Sequence, residues 1–138
     1  MILYLDASAL VKRFVAEPGS DLVRNAMQEA EAWFMCRVGY VETVRAVGLA
    51  AGPSAARRVR NEWGSMGVIE LDHRLADEAA DLALAHDLRS LDALPLAAAS
   101  LLPPDDLVVA TWDRRLHAAA LAVGRRALPD APSSVLPA

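Results

Sequence analysis

The chain has 138 residues, 54% of them hydrophobic, which suffices for one domain with a substantial core. Its formal net charge of −4 argues against a simple basic nucleic-acid binder, and no uninterrupted apolar run approaches the roughly 18 residues needed to span a bilayer. The opening segment MILYLDAS has no basic start and no cleavage-site pattern, so neither a signal peptide nor a membrane anchor is expected.

In chain order, Ile2–Leu5 is apolar throughout and predicts a parallel strand covered on both faces. Residues 7–15 have helical spacing, and Glu17-Pro18-Gly19 breaks the pattern. Ser20 suits the cap of a helix over 21–32, and 33–36 reads as a second strand. A helix over 38–51 ends at Gly52-Pro53, and another over 54–66, capped by Ser54, closes at Gly67. Residues 68–71 predict a third strand. Asp72 caps an amphipathic helix running to about Asp87, and Ser90 caps an apolar helix running to Leu102, stopped by Pro103-Pro104. A fourth strand over 107–111, a helix over 113–123 and a short fifth strand over Arg126–Leu128 complete the pattern. The remainder is rich in Pro and Ser. This alternation predicts an α/β sandwich with a mostly parallel central sheet, whose functional residues belong at the carboxyl ends of its strands.

The lone cysteine, Cys36, follows Trp33, Phe34 and Met35 and reads as a core thiol in a reducing, cytoplasmic setting. His73, His86 and His117 lack metal-ligand spacing and are expected on helix surfaces or at caps. No GxxxxGK[ST] loop is present, which excludes a P-loop NTPase.

Four acids stand out. Asp6 and Asp113 follow the first and fourth predicted strands, where each also suits a helix N-cap. Glu42 falls in line with Val38, Ala46 and Leu49, unless an ion pair with Arg45 explains it. Asp92 shares a face with Leu96 and Ala99, although a first-turn acid also complements the helix dipole. Buried carboxylates are costly unless paired or metal-bound, and four that converge call for a hard divalent cation with oxygen ligands, such as Mg²⁺ or Mn²⁺.

Asp6 in YLDASALVKRF, Glu42 in YVETVRA, Asp92 in LRSLDALPLAAA and Asp113 in TWDRRLHAAA occur in an order that resembles the PIN-domain family, and within it the VapC-type toxins of toxin–antitoxin pairs. The resemblance runs to about Leu128. It implies a single PIN-like domain over 1–128 with a tail over 129–138, a three-layer α/β/α fold, and a Mg²⁺- or Mn²⁺-dependent endoribonuclease. A cognate antitoxin and a homodimer are implied too. Carried over, Asp6, Glu42, Asp92 and Asp113 form the acidic metal-binding set: Asp6, Asp92 and Asp113 on one ion, Glu42 through water or toward a second. Ser8 and Thr111 match supporting hydroxyls. Pro95 departs from the pattern and is expected to shorten the helix start and shift Asp92.

Among the cations, 13 Arg against the single Lys12, the residues near these acids are Arg13, Arg37, Arg45, Arg89, Arg114 and Arg115. They read as a phosphate-binding rim or as solvated surface charge. Trp112 is the aromatic expected to line the site, while Trp63 and Met66 suit a partner surface. Two rival functions are a phosphatase or phosphotransferase and a non-catalytic protein-binding module. A haloacid-dehalogenase type needs a second Asp where Ser8 stands, which weighs against the first.

Overall fold

The computed structural model describes residues 1–130, so all but Pro129 and Asp130 of the expected tail lies outside the described residues. The elements are β1 (Ile2–Leu5), α1 (Ala7–Phe14), α2 (Ser20–Glu29), β2 (Ala32–Cys36), α3 (Arg37–Ala51), α4 (Pro53–Glu62), β3 (Gly67–Ile69), α5 (His73–His86), α6 (Ser90–Ala99), β4 (Leu107–Ala110), α7 (Arg114–Ala122) and β5 (Arg126–Leu128). A 3-10 turn over Trp63–Ser65 joins α4 to β3.

The five strands are parallel and lie in the order β3-β2-β1-β4-β5. Side chains alternate across the sheet, so two cores form. Leu3, Leu5, Val108 and Ala110 pack with α1 and α2 on one face, and Tyr4, Leu107 and Val109 pack with α6 and α7 on the other. This is the expected three-layer α/β/α sandwich. The chain winds outward from β1 through β2 to β3, then returns to place β4 on the other side of β1. The carboxyl ends of β1 and β4 therefore flank the point where strand order reverses, the usual binding crevice of such sheets. Among the described residues, no helix is long and apolar enough to cross a membrane.

Several local expectations need correction. The helix expected over 21–32 ends at Glu29, because Ala32 is drawn into the sheet opposite Ile2. The helix expected over 54–66 begins at Pro53, whose fixed φ suits a first helical position, with Gly52 rather than Ser54 as its cap. Ser90 lies inside α6, which Arg89 precedes as cap. Pro95 stands within α6 and does not shorten its start: the Asp92 and Ala93 N–H groups both donate to the Arg89 carbonyl, at 3.0 Å each. His117 is buried, and its Nε2 lies 2.7 Å from the Pro129 carbonyl, so it is neither a surface nor a capping histidine.

One buried contact gives a stability prediction. The Tyr4 hydroxyl accepts the Cys36 N–H at 3.1 Å. Tyr4→Phe strands that buried N–H and is expected to cost about 1–3 kcal/mol, seen as a lower midpoint in urea. An unchanged midpoint would show that the N–H finds another partner.

Candidate functional site

The β1–β4 pairing sets Leu5 beside Ala110, so Asp6 and Thr111 leave the sheet side by side. Asp6 caps α1, with Oδ1 accepting the Ala9 N–H at 3.0 Å. Asp113 caps α7, with Oδ1 accepting the Arg115 and Leu116 N–H groups at 2.9 and 3.0 Å. Both acids thus fill the capping role that their positions allow, at the same end of neighbouring strands.

Two hydroxyls bind these turns together. The Trp112 N–H donates to Ser8 Oγ at 2.8 Å, and Ser8 Oγ donates to Asp6 Oδ1 at 2.6 Å. The Asp113 N–H donates to Thr111 Oγ1 at 3.0 Å, and Thr111 Oγ1 donates to Asp6 Oδ2 at 2.6 Å. Each Asp6 oxygen is thereby tied, through one hydroxyl, to one backbone N–H of the turn after β4.

Asp92 is buried in the first turn of α6, as its inward position predicted, and Arg89 Nε donates to its Oδ2 at 3.1 Å. Glu42 differs from expectation. The buried line of α3 is Gly39, Thr43 and Val47, one residue round from Val38, Ala46 and Leu49, and Leu49 is 73% exposed. Glu42 flanks that line as an exposed residue, and it makes no ion pair with Arg45. It borders a narrow crevice with Tyr4, Asp6, Cys36, Gly39 and Pro95, which has room for about one water-sized particle. It also borders an open cleft of about 420 Å³ lined by Ala7, Ser8, Val11, Arg45 and Ala46.

Electrostatics link the four acids. Burial pushes the Asp6 carboxyl from 3.8 up to about 6, against hydrogen bonds from Ser8, Thr111 and Ala9, with Asp113 adding a smaller upward push. The residue keeps some exposure, but three donors enclose its carboxylate. The Glu42 carboxyl is also raised, first by burial and then by Asp6, Asp92 and Asp113 in turn. Burial likewise raises the Cys36 thiol, in keeping with a core role.

The Asp6 shift has a stability consequence. The folded protein holds this proton more tightly than the unfolded chain does, so the contribution is full below about 4. It is lost as pH rises to about 6, in total about 1–3 kcal/mol. In the presence of EDTA, the stability of Asp6→Asn relative to wild type is expected to grow by about that amount between pH 4 and 7, measured by urea unfolding. A pH-independent difference would contradict the shift.

These side chains suit a hard cation in kind: all four are carboxylates, and Arg89 is the one cation bonded to any of them among the described residues. Among the described residues, no group of three His, Cys, Asp or Glu side chains is gathered closely enough to hold an ion as placed.

The basic residues divide. Arg13 donates to Glu62 at 3.2 and 2.9 Å and lies over the Trp33 ring, bordering an apolar groove with Phe14, Met27, Trp63 and Met66. Arg37 pairs with Glu70 and Arg89 with Asp92, while Arg45, Arg114 and Arg115 make no ion pair among the described residues. Trp112 does not line the site as expected. It is 4% exposed and backs the turn that carries Asp113. Sequence reasoning did not assign Arg89 as the partner of Asp92, although their i,i+3 spacing at a helix start is a signal for it.

The family profile described as PIN domain matches residues 3–122. A relative named Ribonuclease VapC45, from Mycobacterium tuberculosis, is 36% identical over 93% of this chain and 95% of its own length. The structure of PAE2754 from Pyrobaculum aerophilum superposes with a TM-score of 0.67 at 20% identity, covering 98% of this chain and 95% of that one. A toxin–antitoxin complex from Klebsiella pneumoniae contains a chain with a TM-score of 0.65 at 17% identity, covering 79% of this chain and 84% of that one.

Proposed function

The chain belongs to the PIN-domain family, and on that premise we propose that it is an endoribonuclease, the toxin of a toxin–antitoxin pair, working as a single domain over 1–128. A ribonuclease relative aligned over 93% of the chain supports the activity. The observation that supports the reading is the placement of Asp6 and Asp113 at the carboxyl ends of neighbouring strands where strand order reverses, with Asp6 and Glu42 on one crevice there.

Asp6, Asp92 and Asp113 would hold a Mg²⁺ or Mn²⁺ ion, with Glu42 acting through water or toward a second ion. When bound, such an ion lowers the pKa of water and shields the charge of a phosphodiester. Ser8 and Thr111 hold both Asp6 oxygens in place. Arg89 restrains Asp92. Arg45, on the cleft beside Glu42, and Arg114 and Arg115, next to Asp113, are left to contact phosphates of the RNA.

The partly buried Trp33, Trp63 and Met66, beside the Arg13–Glu62 pair, mark the surface we assign to an apolar antitoxin segment. The exposed Val41 and Leu49 of α3 favour a homodimer, and the single buried thiol favours the cytoplasm.

The test is incubation of the purified protein with total cellular RNA and Mg²⁺, followed by mapping of the cut ends. Cleavage at discrete positions that EDTA abolishes is expected. Intact RNA alongside hydrolysis of a phosphomonoester would overturn the reading in favour of a phosphatase.

A further inference from the structure

Lys12 is the only lysine of the chain, and it is 3% exposed. A buried ammonium is costly unless its N–H groups are engaged. Its Nζ donates to Glu17 Oε1 at 3.0 Å and to the Pro18 carbonyl at 2.8 Å, and it stands 4.8 Å from the centroid of the Trp112 ring. Lys12 thus fastens the turn between α1 and α2 onto Trp112. Gly19, in the same turn at φ 94°, lies against that ring: a Cβ there would sit 2.8 Å from Trp112 Cζ2 and 3.2 Å from Lys12 Cδ.

The ring is connected to the acids through its backbone. The Trp112 N–H donates to Ser8 Oγ and the next N–H, of Asp113, donates to Thr111 Oγ1; these are the hydroxyls that hold Asp6. Lys12 does not figure among the main influences on the Asp6 carboxyl, which are burial, its three hydrogen bonds and Asp113. The contacts that lead from Lys12 toward the acids run through Trp112.

We propose that Lys12 is a positioning residue of the site: by clamping Trp112 it sets the backbone at 112–113, and through Ser8 and Thr111 it sets both oxygens of Asp6. The proposal rests on the nuclease reading above. It assigns a function to a buried charge outside the acidic set.

Lys12→Met keeps the apolar stem and removes the clamp. Gly19→Ala presses on the ring instead. Leu75→Ala, in the core on the opposite face of the sheet, serves as a control for general destabilisation. Mn²⁺ binding is measured by calorimetry without RNA, and kcat and KM are measured on an RNA that wild type cleaves, well below every Tm. Both clamp variants are expected to weaken Mn²⁺ binding and to lower kcat by about 10-fold, with KM nearly unchanged. Leu75→Ala is expected to leave all three near wild type despite a lower Tm. Lys12→Met with wild-type Mn²⁺ affinity and kcat overturns the proposal, as does an equal loss in Leu75→Ala. Should Lys12→Met not fold, Gly19→Ala decides by the same readouts. Wild type that cleaves no RNA overturns the nuclease reading, and the Mn²⁺ titration alone then decides the role of Lys12.

Discussion

Asp6→Asn is expected to lower RNA cleavage by about 10²–10³-fold while leaving the metal-free protein at least as stable as wild type at neutral pH. The two effects have one origin. At pH 7 the Asp6 carboxyl is ionised in an enclosed place that favours its neutral form, with Asp113 adding repulsion. Asn removes that charge, and its carbonyl oxygen can still accept from Ser8 and from the Ala9 N–H. The change thus relieves the fold and disables the site. A purely structural acid gives the reverse pattern, with cleavage preserved and stability lost. Cleavage rate and urea midpoint, measured on the same preparation, separate the two.

Thr111→Val is the second large effect. The side chain is fully buried, so the isosteric methyl fits the space. What is lost is the donor to Asp6 Oδ2 and the acceptor for the Asp113 N–H. The unpaired N–H is expected to cost about 1–3 kcal/mol. With one oxygen of Asp6 released and the turn carrying Asp113 loosened, cleavage is expected to fall about 10–100-fold. Thr111→Ser, which restores the hydroxyl, is expected to recover most of the activity. Equal activity in the Val and Ser variants would contradict the role given to this hydroxyl.

The strands were legible because a parallel strand covered on both faces must be apolar along its length, and Ile2–Leu5 and Leu107–Ala110 are. Asp6 and Asp113 were legible for the complementary reason: a charge that ends such a run sits at the rim of the sheet. The α3 helix was misread because its buried line is not its most hydrophobic one. Gly39 lies on that line since a Cβ there would come within 2.7 Å of the Met35 side chain, so close approach favours small residues over Val38 and Leu49. The surroundings of His117 and Trp112 were illegible for another reason. Their partners, Pro129, Ser8 and Lys12, meet them only through sheet pairing and loop packing, to which periodicity is blind. Arg89 read as part of a phosphate rim, although its i,i+3 spacing from the inward-facing Asp92 fits the ion pair that the structure shows.

On the proposed function, the four carboxylates form one divalent-ion site that cleaves RNA. It is tested most directly by titrating Mn²⁺ into the cleavage of one defined RNA by wild type, Asp6→Asn, Glu42→Gln, Asp92→Asn and Asp113→Asn. Saturable Mn²⁺-dependent cleavage is expected in wild type, none in EDTA, and a loss of at least about 10-fold in each variant. Undiminished cleavage by wild type in EDTA, or by the variants at wild-type rate, would contradict it.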